Sequence, residues 1–222
     1  MRRKGYSMYT LTPEHMKELL ELVESIRSMV GAHKEIEEKL DLNGKLNGTL
    51  GEAIGLTKLY SIYGSSADYN WRGKQRKGCD VLVTVKGKTP QRFQIKTSAQ
   101  EKYMFRVIKV VNVDRDKVRL EREKGDFFEI AYRIEEAINN ARTDVWLLIH
   151  AKKDNYDFYW IEKEDLIKIV TEHYINAATT RKHRENFNEY IDNNNVYSPI
   201  LVQTAETDRC LLNKYNKPPC SD

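Results

Sequence analysis

The chain has 222 residues, 40% of them hydrophobic and 32% charged, with 13 tyrosines and a formal net charge of +4. That suits one domain, or one core with an appended subdomain, is long enough to bury a sizeable core, and is a soluble globular composition. The charge is too small to name a partner, so a polyanion has to be held by local basic clusters.

No apolar run reaches the length of a membrane span, and residues 1–6 (MRRKGY) lack the apolar core of a signal peptide. These features predict a cytoplasmic protein with no membrane partner. Cys79, Cys210 and Cys220 are odd in number and have no CxxC spacing, so they suggest neither a zinc site nor a disulfide framework.

In chain order, Thr12-Pro13-Glu14 is a helix start, with a hydroxyl cap, proline at the first position and an acid at the positive end of the dipole. Met16, Leu19, Leu20, Val23, Ile26 and Val30 follow at helical spacing, and Gly31 ends the run. A more charged helix is expected over residues 33–40 and a loop over 43–47. Residues 49–60 (TLGEAIGLTKLY) read as a helix. Gly48, Gly51 and Gly55 form a stripe on it that lets another backbone come close. Glycine costs up to about 1 kcal/mol per helical position, so such a stripe needs a packing or site reason. Glu52 lies beside it.

Residues 65–78 (SSADYNWRGKQRKG) interleave Arg72, Lys74, Arg76 and Lys77 with Tyr69 and Trp71. A short strand is expected around Tyr69, and the remainder is a basic loop suited to phosphate contacts. Two strands follow, joined by a turn at residues 86–90. Val81, Val83 and Val85 share one face of the first strand. On the second, Phe93 and Ile95 share a face and leave Gln94, Lys96 and Ser98 on the other. Folding the pair as an antiparallel hairpin brings Asp80 beside Gln94 and Lys96. A carboxylate, an amide oxygen and an ammonium then converge at one sheet edge.

Residues 103–113 and 117–120 read as a further hairpin. A helix is expected from 126, with Phe127, Ile130, Ala131, Ile134, Ala137 and Ile138 as its buried stripe. Residues 144–150 (DVWLLIH) are nearly all apolar, as in a strand covered on both faces. Residues 156–161 are expected to pair with it. Helices follow over 164–172 and around 177–190, the latter bearing Arg181, Lys182 and Arg184, and the chain ends in a loose tail.

Asp80 opening one strand and Gln94-Ile95-Lys96-Thr97-Ser98 closing the next resemble the PD-(D/E)xK nuclease superfamily. Cys79 stands where that motif has Pro, and Gln94 where it usually has an acid; some members of the family carry Gln there. The order of elements over residues 48–151 is also similar, with 103–120 as an insertion. The resemblance implies an α/β fold with a restriction-endonuclease-like core, a central mixed sheet flanked by helices. Residues 1–47 would then be a helical extension packed on the core, 48–161 the nuclease core, and 162–222 a helical segment and tail.

It further implies a metal-dependent DNA endonuclease, with the type II restriction enzymes nearest. A Holliday junction resolvase-like nuclease and a non-catalytic DNA-binding protein with the same fold are the alternatives. Asp80, Gln94, the Ile95 carbonyl and Glu52 are the implied ligands of Mg²⁺ or Mn²⁺, and Lys96 orients and helps deprotonate the attacking water. Double-stranded DNA is the expected partner of a homodimer. It would be held by Arg72, Lys74, Arg76, Lys77, Ser98, Arg181, Lys182 and Arg184.

Other chemistries lack their motifs. His15, His33, His150, His173 and His183 show no HExxH or zinc spacing, and no GxSxG, P-loop or GxGxxG is present.

Overall fold

The computed structural model describes residues 9–32, 43–71, 79–98, 103–110, 113–151, 155–179, 196–202 and 216–219. Its centre is a mixed sheet of strands β1 (Tyr9–Thr10), β2 (Ala67–Trp71), β3 (Val81–Val85), β4 (Gln91–Ser98), β6 (Val145–Ala151) and β7 (Tyr156–Glu162), side by side in that order. Five are full strands, and β1 adds a two-residue edge. All neighbours are antiparallel except β4 and β6, which run parallel over Phe93–Ser98 and Val145–His150. A parallel joint needs a long crossover. Here that crossover contains β5 (Tyr103–Val110), α3 (Arg115–Lys124) and α4 (Phe128–Asn140). β5 pairs separately with β8 (Val196–Val202).

Each face of the sheet has its own core. Helices α1 (Pro13–Ala32) and α2 (Asn43–Tyr63) cover one face. There Met16, Ile54, Leu56 and Leu59 pack on Tyr69, Val81, Val83, Phe93, Ile95, Val145, Leu147 and Ile149. On the other face Trp146, Leu148, Tyr159 and Ile161 meet Ile130, Ile134 and Ile138 of α4. Leu166 and Val170 of α5 (Lys163–Thr179) and Phe105, Val107 and Val110 of β5 complete that core. Val145 to His150 are all buried because successive side chains alternate between the two cores. The apolar run predicted for that strand has this cause.

The N-terminus of α1 behaves as its sequence implies. Thr12 Oγ1 accepts from the His15 amide, and His15 Nδ1 accepts in return from the Thr12 amide, each at 3.3 Å. Elsewhere the structure departs from the sequence expectations. Residues 43–47 are the first turns of α2, not a loop, so the expected domain boundary at 47/48 falls inside a helix. Residues 117–120 are helical, not the return strand of a hairpin.

Two end structures fix α3. The Asp114 side chain accepts from the Lys117 amide, and Gly125, at a φ of 81°, closes the other end with its N–H bound to the Arg122 carbonyl. β5 accordingly takes β8 as its partner. The start of α4 has no side-chain cap of its own; the Glu121 carboxylate, from α3, accepts the Glu129 amide at 2.8 Å. Glu129 is itself buried, with Lys117 and Arg133 each 2.9 Å away. Burial pushes its carboxyl up, but these two cations and the Asp114 amide outweigh that and leave it below its ordinary value.

Candidate metal centre

The hairpin forms as its pattern predicts. Gly87 takes a φ of 81° in the turn, and the Lys88 amide bonds the Val85 carbonyl at 3.0 Å. β3 and β4 pair over only three positions, Val81 with Phe93, Leu82 with Arg92 and Val83 with Gln91. This register brings Asp80 beside Gln94, as expected.

The β3–β4 ladder ends at Val81, the first residue of β3, while β4 continues along β6. The Asp80 amide still reaches the Phe93 carbonyl at 2.8 Å. Its carboxylate makes the next contacts with β4. Oδ2 accepts the Ile95 amide at 2.7 Å and the Gln94 side-chain amide at 2.5 Å. A residue's N–H and C=O point to the same side of a strand, so the Ile95 carbonyl also faces the Asp80 side of β4.

Alternation puts Gln94, Lys96 and Ser98 on the sheet face opposite α2, because Phe93 and Ile95 pack with α2. Glu52 arrives from the helical face. A Cβ on Gly51 would overlap the Thr97 side chain, and one on Gly55 would stand 2.6 Å from Ile95 Cδ1. These two glycines therefore let α2 lie directly on β4. Gly48 does not share that role, since a Cβ there would meet open space. Glu52, next to Gly51, accepts a hydrogen bond from the Trp71 indole N–H at 2.9 Å. The sequence pattern did not reveal this contact. Trp71 and Glu52 lie 19 residues apart on different elements, and only the β2–β3 register, with Trp71 opposite Val81, brings them together.

The electrostatics of Asp80 follow. Burial lifts the Asp80 carboxyl to about 6, and the Glu52 carboxylate adds to the lift; the Ile95 amide, the Lys96 ammonium and the Gln94 amide oppose it. A half-buried acid held high by desolvation and a second acid is stabilised in its charged form by any cation that enters.

Among the described residues no group of three or more His, Cys, Asp and Glu side chains gathers. The candidate donors are instead the Asp80 carboxylate, the Gln94 amide oxygen and the Ile95 carbonyl, with the Glu52 carboxylate near enough to act on Asp80 electrostatically. Such an all-oxygen set suits a hard divalent cation, which commonly takes one or two carboxylates and keeps several waters. In donor type, without any gathered cluster, these residues match a hard divalent cation.

Ser98 lies two positions beyond Lys96, 7% exposed, opposite His150 in the parallel register. His150 in turn faces Asp157 of β7, its Nδ1 3.9 Å from Asp157 Oδ2. The expected DNA contacts Arg72, Lys74, Arg76, Lys77, Arg181, Lys182 and Arg184 lie outside the described residues, as does the helix expected over 33–40. No helix of the described residues is long and apolar enough to cross a membrane. Compared with known proteins, the chain matches no family model, no curated protein and no solved structure at a significant level.

Proposed function

We propose that this protein is a metal-dependent endonuclease that hydrolyses phosphodiester bonds of double-stranded DNA, of the type II restriction kind. The observation that carries the reading is the Asp80 carboxylate. It is fixed at the end of the β3–β4 ladder by the Ile95 and Gln94 N–H groups, with Glu52 and Lys96 acting on it electrostatically.

When bound, Mg²⁺ supplies Lewis-acid charge at the scissile phosphate. Asp80 is its main anionic ligand, and Glu52 supplies the second negative charge. Because the Gln94 side chain gives its N–H to Asp80, its carbonyl oxygen is the atom that would serve as a neutral donor. The Ile95 carbonyl adds a fixed backbone oxygen. Lys96 follows Gln94 on the same face of β4 and orients the attacking water by donating to it. A homodimer sets two such centres against the two strands of a duplex.

The test is cleavage of linear and branched DNA in Mg²⁺. Asp80→Ala and Lys96→Ala are expected to abolish cutting while the fold, read by circular dichroism, persists. Normal turnover by a folded Lys96→Ala variant removes Lys96 from the mechanism. Cutting confined to branched DNA, without sequence preference, would replace the restriction reading with a junction-resolving one. Binding without any cutting would leave a DNA-binding protein of the same fold.

A further inference from the structure

We propose that Trp71 is a positioning residue of this centre, setting the spacing between the Glu52 and Asp80 carboxylates. The inference rests on the metal-centre reading above. Trp71 is the last residue of β2 and is tied to both acids by different means. Its indole N–H donates to Glu52 Oε2 at 2.9 Å. Its backbone pairs with Val81, the residue after Asp80.

The ring is half-buried in the helix-side core, so it has little freedom to swing. A glutamate has three rotatable bonds, and holding it in one geometry costs entropy that a rigid partner supplies in advance. The indole is a donor only. It can bind one carboxylate oxygen but cannot take the place of a cation on the other. Trp71 thus fixes the direction of Glu52 Oε1 while remaining outside the ligand set, a role that tunes affinity without direct coordination.

The experiment is Mn²⁺ binding by calorimetry to the full chain and to Trp71→Phe, Glu52→Ala, Asp80→Ala and the Trp71→Phe/Glu52→Ala pair. Phenylalanine keeps the ring in the core and deletes only the N–H. Trp71→Phe is expected to weaken Mn²⁺ binding about tenfold. The double variant should be no weaker than Glu52→Ala alone, because the indole acts through that carboxylate.

Unchanged affinity in Trp71→Phe, or losses that simply add, would overturn the role of Trp71; a loss in Glu52→Ala and Asp80→Ala would still uphold the metal centre. If neither of those two variants changes Mn²⁺ binding, the centre itself falls. Should Trp71→Phe fail to fold, nitrogen-15 spectra of the wild type decide. One of the three indole N–H signals is expected to shift on adding Mg²⁺, and not to shift in Glu52→Ala. Three unmoved signals overturn the proposal.

Discussion

The Asp80 carboxyl keeps its proton up to about pH 6, against an ordinary value of 3.8, chiefly because burial penalises its charge. The folded chain therefore binds this proton more tightly than the unfolded chain. The resulting stabilisation is complete below about pH 4 and is lost as the pH rises through about 6. Asp80→Asn, which cannot ionise, is expected to gain on the wild type across that window. The gain should be on the order of 1–2 kcal/mol once partial exposure is discounted. Urea midpoints of the two proteins at pH 4 and pH 7 measure it, and parallel pH curves would contradict the assignment. Gln94→Glu places another acid against Asp80 and should favour tighter metal binding over loss of activity, read as the Mg²⁺ concentration giving half-maximal cleavage. Asp80, Gln94 and Lys96 were legible in the sequence because strand alternation and one turn bring them together locally. The Trp71–Glu52 bond was not, because it depends on how a helix settles on a sheet.

At the scale of elements, the contact between α2 and β4 governs how near Glu52 stands to Asp80. Gly51→Ala drives a methyl group into Thr97, a short β-branched side chain with little room to yield. Overpacking of this kind costs about 1–3 kcal/mol. A loss of several degrees in melting temperature is expected, together with weaker metal binding as Glu52 is displaced. Gly48→Ala has open space and is the control: it should be neutral or slightly stabilising. A glycine stripe in a sequence signals close approach but does not say which of its members makes it. The same limit explains residues 117–120. Their alternation suited a strand, and the Asp114 cap and the Gly125 end decided for a helix.

At the scale of the molecule, the centre joins two kinds of pairing. β4 is antiparallel to β3 for three residues and parallel to β6 for six. The hairpin half of this arrangement was readable because its partners are neighbours in sequence. The β5–β8 pair was not, because its strands are separated by most of the second half of the chain. The proposed DNA binding belongs to this scale too. If Arg72, Lys74, Arg76 and Lys77 contact phosphates, replacing all four by Ala should weaken binding equally on all sequences. Each lost contact should lower the salt slope by about one unit. Affinities over a salt series in Ca²⁺ test this, and an unchanged slope would move the contact surface elsewhere.

The Ile95 amide gives its hydrogen to a titratable side chain, where a neighbouring strand would offer a carbonyl. One proton of the backbone is thereby made a reporter for the whole centre. In hydrogen exchange it should be the β4 amide most sensitive to Asp80→Ala, exchanging much faster in that variant while amides bonded to β6 keep their protection. In the wild type its exchange should slow when a divalent ion is added, which gives a residue-level signal of occupancy without any nucleic acid or turnover.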